Sequence, residues 1–267
     1  GSLHFGAVIV PDGAAPGSCP VLIEAKGVSW NYMPLSLDQL TSPRILKNDA
    51  SRFVVVVPGF RGEVLNFEGR SFVSEGDRSD AWDGATDDAL AFLDAALSVT
   101  PEADPARIAA FGRSRGGSVA LLAAARDHRI RRVIDWAGPS DWFSLMGTEG
   151  WTQRESVIEG LRIRSKAPEE GGQFIERFLA RAIAHTADLQ QTRHRMLASS
   201  PLWFAAALPI TLAAYGVEDD MVPIRNGKEL ARLGYSRVKP LFLEGAGPDL
   251  DRTAFEKSRL FLLDLVH

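Results

Sequence analysis

Cysteine is nearly absent from this chain of 267 residues. Cys19 stands alone, which excludes an internal disulfide and a thiolate metal site. Histidine is scarce as well: the five are His4, His128, His185, His194 and His267, and any chemistry needing an imidazole must draw on them. No apolar run reaches the length of a bilayer span, so no membrane partner is expected. Charge of one sign is lacking too. Thirty Lys and Arg stand against 34 Asp and Glu, for a formal charge of −4 with no basic stripe, so nucleic acid is not the expected partner. Repeats and low-complexity tracts are missing. A lone cysteine suits a reducing cytoplasm, but Gly1-Ser2 has the look of a cloning remnant, and a leader trimmed ahead of it would leave the compartment open.

What is present is alternation. Short apolar runs at Phe5–Val10, Val21–Glu24, Phe53–Val57, Ile108–Phe111, Val133–Trp136, Ile210–Ala214 and Pro240–Leu243 are separated by segments of helical period. Several runs are β-branched and nearly continuous, as strands covered on both faces require. The expected fold is α/β, a doubly wound and mainly parallel sheet. Asp80–Leu97 is an amphipathic helix with Ala89, Phe92, Leu93, Ala96 and Leu97 on its apolar face. Asp80, Asp83, Asp87 and Asp88 crowd its first half. Acids on a solvated face near the helix N-terminus explain them better than a metal site, and none is expected. The stretch 144–200 has many charges and no strand-like run, with a helical stripe at 174, 178 and 182. It reads as a helical cap inserted into a core made of 1–143 and 201–267. Because it leaves the C-terminal end of a strand, it should lie over the functional edge of the sheet.

The chemistry is concentrated in Gly112-Arg113-Ser114-Arg115-Gly116-Gly117, directly after the run Ile108–Phe111. A buried strand, a sharp turn with serine at its apex and a glycine-permitted helix start make a G-x-S-x-G nucleophile elbow. The flanking glycines are needed because the helix must pack close on the strand. The helix start then offers amide donors to an anion forming near Ser114, the Arg115 amide first among them.

A second signal follows the run Ile210–Ala214: Gly216-Val217-Glu218-Asp219-Asp220-Met221-Val222-Pro223. Here the chain resembles the α/β-hydrolases, specifically the prolyl-oligopeptidase-like peptidases and esterases. In that family a glycine, two residues and an acidic triad member precede a Val-Pro pair. The resemblance points to Asp219 as the orienting acid, with Asp220 and Glu218 as substitutes. It extends to Arg129–Pro139 after the elbow helix, to Ser200-Pro201-Leu202-Trp203, and to the aromatic-Arg-Gly turn Phe60-Arg61-Gly62. Val21–Ala25 then takes the place of the family's third strand. Lys26-Gly27-Val28-Ser29-Trp30 takes the place of its oxyanion loop, with Lys26 where a histidine is usual. The resemblance implies a second oxyanion donor from the Val28 amide, or from the Tyr32 hydroxyl if the loop folds back. Trp30, Phe60 and Trp142 are the expected lining of a substrate pocket. Arg61, Arg113 and Arg115 either hold a substrate carboxylate or pair with acids, the latter for at least two of them.

The pattern breaks at its third member. The family's histidine follows the last strand in a Gly-x-Gly-His type turn, whereas this chain reads Glu244-Gly245-Ala246-Gly247-Pro248-Asp249. Proline cannot accept the Ser114 proton. Either the activity is impaired, or a cap histidine (His185 or His194), Asp249 or the substrate supplies the base. The expected activity is hydrolysis of a small-molecule ester or amide through a Ser114 acyl-enzyme, with no cofactor. The alternative is a catalytically silent hydrolase-like binding protein.

Overall fold

The computed structural model describes residues 2–27, 35–36, 45–78, 80–146 and 189–266. Seven strands form the central sheet: β1 (Gly6–Ile9), β2 (Cys19–Ala25), β4 (Val54–Pro58), β7 (Ala103–Arg113), β8 (Ile130–Trp136), β9 (Ile210–Gly216) and β10 (Val238–Leu243). Their order is β1-β4-β2-β7-β8-β9-β10. Only β1 runs antiparallel, against β4; the remaining pairs are parallel. These are the seven runs anticipated from the sequence. β2 and β4 are buried at every position, which explains why Val54–Val57 shows no alternation.

Helices cover both faces. Val21, Ile23, Val54 and Val56 face α1 (Asp83–Val99) and α2 (Arg115–Arg126), through Leu93, Ala96, Ala120 and Leu121. Leu22, Val55, Ala109 and Ile134 face the other way, toward Ala254 and Leu262 of α6 (Arg252–Leu263). Asp251 caps α6 by accepting from the Thr253 and Ala254 amides. The remaining helices are α3 (Trp142–Met146), α4 (Leu189–Ala198) and α5 (Arg225–Gly234). Most of the expected cap, residues 147–188, lies outside the described residues. Among the described residues no helix is long and apolar enough to cross a membrane.

A second, small sheet joins β3 (Leu35–Ser36), β5 (Val64–Phe67) and β6 (Arg70–Val73). The sequence reading missed it. Its hairpin turns at Glu68-Gly69, both with positive φ, the geometry of a primed hairpin turn.

Candidate active site

Parallel strands deliver the turns that follow them to one edge of the sheet. β7 ends at Arg113 and α2 begins at Arg115, so Ser114 alone makes the corner. Its φ of 54° and ψ of −126° are strained for a residue with a side chain. Hydrogen bonds hold it there. Its amide donates to the Trp136 carbonyl at 2.8 Å, and its carbonyl accepts from the Gly117 and Ser118 amides. The glycines are required as expected. A Cβ on Gly112 would overlap the Gly116 carbonyl, and one on Gly116 would overlap the Ala25 carbonyl. The Arg115 amide opens the first turn of α2, where no intrahelical acceptor exists.

Beside this corner runs the end of β2. A Cβ placed on Gly27 would stand 3.8 Å from that of Ser114, so the Lys26–Gly27 backbone is a neighbour of the serine. Lys26 Nζ is paired with Glu24 Oε1 at 2.5 Å. Val28, Trp30 and Tyr32, expected as oxyanion donors or pocket lining, lie outside the described residues.

Asp219 sits in the turn after β9 and is 6% exposed. Its Oδ1 accepts from the Met221 and Val222 amides at 2.8 and 2.9 Å. Its Oδ2 is buried, and among the described residues nothing donates to it. Burial raises this carboxyl above the ordinary aspartate range, and the Asp220 charge adds to the shift. The two amides and the Arg113 guanidinium pull the other way. Asp220, weighed as a substitute acid, is exposed.

Pro248 lies on the neighbouring loop between β10 and α6. The Glu218 amide donates to the Ala246 carbonyl at 3.0 Å, stitching this loop to the Asp219 turn. Arg113, the residue before Ser114, donates to the Pro248 carbonyl at 2.8 Å and pairs with Asp249. Ser114, Asp219 and Pro248 therefore leave one sheet edge on loops tied to one another by backbone bonds and Arg113. His194 is exposed on α4, and His128 is exposed beyond the far end of α2. His4 Nδ1 stands 3.7 Å from Asp88. His185 is outside the described residues.

Several expectations need correction. Phe60 is 1% exposed and packs on Ala25, Ala85, Ala89 and Val119, so it is core rather than pocket lining. Trp142 is 5% exposed, with its ring edge-on to Trp82 at 4.3 Å, and is likewise packed inside. The acids at the start of α1 are only partly a solvated face: the half-buried Asp80 and the buried Asp88 hold Arg61, while Asp83 and the exposed Asp87 pair with Arg126. Among the described residues no group of His, Cys, Asp and Glu could hold a metal ion. All three arginines weighed for substrate binding pair with acids: Arg61 with Asp80 and Asp88, Arg113 with Asp249, Arg115 with Glu63.

Two features went unread in the sequence. Arg115 turns its side chain inward, a choice that no local pattern records. Asp135 and Tyr215, ending β8 and β9, form a fully buried polar pair behind the elbow. Tyr215 Oη lies 2.6 Å from Asp135 Oδ2 and 2.8 Å from the Gly138 carbonyl, while Asp135 Oδ1 accepts from the Gly138 amide at 2.9 Å. Burial pushes the Asp135 carboxyl up to about 7, against the pull of these bonds, and raises Tyr215 as well.

Comparison with known proteins agrees with this geometry. Residues 47–166 match the prolyl oligopeptidase family. No curated protein matches the chain in sequence. Among solved structures, an acetyl xylan esterase from Paenibacillus sp. R4 is similar over 99% of this chain and 80% of its own, at 20% identity and a TM-score of 0.69. Acetyl xylan esterase 1 from Thermoanaerobacterium sp. JW/SL YS485 covers the same shares at 19% and 0.65. An acylaminoacyl peptidase from Pyrococcus horikoshii is similar over 99% of this chain and 41% of its own, at 16% and 0.64. With its sheet order, its elbow and these likenesses, the chain has the α/β-hydrolase fold, and its residues 47–166 are similar to the prolyl oligopeptidase family.

Proposed function

We propose that this chain is a serine hydrolase of carboxylic esters or small amides whose triad lacks its base. Ser114 is the nucleophile, Asp219 is the orienting acid, and Pro248 stands where the histidine belongs. The observation that carries this reading is the buried Oδ2 of Asp219, to which nothing donates among the described residues, beside the loop that bears Pro248. A carboxylate oxygen taken out of water without a donor is costly, and an imidazole N–H from the loop after β10 is the donor this architecture would supply. In the reaction the Ser114 oxygen bonds the carbonyl carbon, and the alcohol or amine leaves with the serine's proton. Water then cleaves the acyl-serine to acid and free serine. The Arg115 amide, and the Val28 amide on the loop after β2, steady the oxyanion. Segment 144–200 caps the edge and shapes the substrate site. The esterase neighbours, matched over most of their length, favour small esters over peptides.

Losing the base of a serine triad costs on the order of a million-fold in turnover, while oxyanion stabilisation and binding still leave ~10³–10⁴ over water. Hydrolysis of a short p-nitrophenyl ester by the parent, Ser114→Ala and Pro248→His chains tests the reading. The expected result is a near-inert parent, an inert Ser114→Ala chain and a Pro248→His chain at least 100-fold faster than the parent. A parent already active through Ser114 would move the base to another group, with His185 and His194 the next to change. Three inert chains would favour the second reading, a catalytically silent binding protein. That reading draws on a different observation, the Arg113 guanidinium donating to the Pro248 carbonyl, which fills the place of the base with groups that do not take a proton at neutral pH.

A further inference from the structure

We propose that the Arg115 side chain is a positioning residue, a clamp that holds the oxyanion loop against the nucleophile elbow. The inference rests on the hydrolase reading for its catalytic consequence, but its geometry stands apart from that reading. Arg115 is 4% exposed although it follows the serine at an open sheet edge. Its guanidinium reaches back across the elbow to the end of β2. Nη2 donates to the Gly27 carbonyl at 3.0 Å and to the Lys26 carbonyl at 3.3 Å, and Nε lies 3.4 Å from that same oxygen. On its other side Nη2 meets Glu63 Oε1 at 2.5 Å. Below it lies the Phe60 ring, with the guanidinium carbon 4.7 Å from the centroid. Glu63 is fixed in turn, because its Oε2 accepts from the Phe60 amide at 3.1 Å.

The chemistry of the fork explains why arginine is needed. A buried guanidinium needs several acceptors spread in one plane, and two backbone carbonyls, a carboxylate and an aromatic face meet that need. The carbonyls it takes belong to the two residues immediately before Val28. One residue thus serves both halves of an oxyanion hole. Its amide opens α2 beside Ser114, and its side chain fixes the chain that leads to the second donor. Donors help only when held within a fraction of an ångström of the developing charge, so their spacing matters as much as their presence. Close packing of Gly116 on the Ala25 carbonyl sets the approach of the two elements, and the Arg115 fork holds the Lys26 and Gly27 carbonyls that follow.

Arg115→Lys is the discriminating variant. It keeps the charge against Glu63 but loses the planar fork, so it cannot hold both carbonyls. Arg115→Met removes the charge as well and leaves Glu63 unpaired. If Met fails to fold, Lys carries the test alone. Two readouts are measured on the full chain: amide hydrogen exchange, and, in the Pro248→His background, labelling of Ser114 by a p-nitrophenyl phosphonate over a range of concentrations. In Arg115→Lys, exchange in peptides spanning 24–36 should quicken at least tenfold, with 106–126 changing less than twofold. The limiting labelling rate should fall at least tenfold, with the half-saturating concentration changing less than threefold. Unchanged exchange at 24–36 would overturn the clamp. Faster exchange with an unchanged labelling rate would make Arg115 a structural anchor only and overturn its positioning role. Faster exchange in the variants, with Ser114 unreactive even in the Pro248→His chain, would uphold the clamp and remove the hydrolase reading instead.

Discussion

Replacing Asp135 by asparagine should stabilise this protein at neutral and alkaline pH, although it alters a residue with no exposed surface. The reason lies in counting protons. Tyr215 has one hydroxyl proton and two acceptors within reach, Asp135 Oδ2 at 2.6 Å and the Gly138 carbonyl at 2.8 Å. If Asp135 is ionised, the hydroxyl is shared between them and a charge sits in the core behind α2. If Asp135 is protonated, its own proton goes to the tyrosine oxygen, the hydroxyl turns to Gly138, and every group is satisfied without a charge. The carboxyl, pushed up to about 7, reports the second arrangement as the favoured one at mildly acid pH. Against an ordinary aspartate near 4, a rise of about three units corresponds to roughly 4 kcal/mol.

The sign follows from where the protons are. Between about pH 4 and 7 the folded state holds a proton on Asp135 that the unfolded chain has released. Stability from this group is therefore complete below pH 4, declines through that window, and is gone above about 7. Asparagine copies the protonated acid: its oxygen accepts from the Gly138 amide, its NH₂ donates to Tyr215, and nothing titrates. Urea unfolding of parent and Asp135→Asn chains from pH 4.5 to 8.5 measures the difference. The two should be similar in stability at the acid end, and the variant should lead by about 2–4 kcal/mol at pH 8. A variant less stable than the parent at pH 8, or a gap that does not change with pH, would refute the proton count.

Other perturbations probe the same architecture. Asp219→Asn should reduce the loss of stability that the parent suffers as pH rises past the ordinary carboxylate range, because burial raises this acid in the fold; urea midpoints at pH 4.5 and 7.5 check it. The same substitution should lower any ester turnover restored by Pro248→His, by about 10⁴-fold as for a triad acid, read with the p-nitrophenyl ester. Gly117→Ala would drive a methyl into Asp135 Oδ1 and toward the Gly138 backbone, and should cost about 1–3 kcal/mol by chemical denaturation. Arg61→Met would strand the buried Asp88 and its neighbour Asp80 and should cost roughly 3 kcal/mol by chemical denaturation.

What was legible in the sequence, and what was not, divides along physical lines. The seven sheet strands could be read because burial on both faces leaves an unbroken β-branched run, as in Val54-Val55-Val56-Val57. The elbow could be read because steric need dictates composition: only glycine fits at Gly112 and Gly116. The small sheet escaped because β5 and β6 are half exposed, so no run or strict alternation marks them, and their turn carries Glu68 in place of the Asn that usually announces a primed hairpin. The acids of α1 were misread for a different reason. Their partners, Arg61 and Arg126, lie 19 to 43 positions away, and no local pattern tells a carboxylate facing water from one facing a distant guanidinium. Phe60 and Trp142 erred likewise: their place at strand ends was right, but which side of the turn each ring packs against is decided by tertiary contacts with Val119, Ala85 and Trp82.

The costs carried at one edge of the sheet bear on what the edge is for. Ser114 sits at positive φ, a conformation that strains any residue with a side chain, and three backbone hydrogen bonds to Trp136 of β8 and Gly117 and Ser118 of α2 hold it there. Asp219 buries an oxygen with no donor and an acid pushed out of its ordinary range. Arg115 puts a cation into the interior to hold two carbonyls that water could otherwise solvate. Glycine at 114 and asparagine at 219 would relieve the first two costs. On the hydrolase reading each has a use, since an anion would develop beside Ser114 and an imidazole would come to Asp219. A surface shaped for binding alone would gain nothing from a strained serine at the start of a helix. On the proposed reading the edge is reaction machinery with one part exchanged, and Pro248→His is the substitution at which that reading and a binding face on the same scaffold separate.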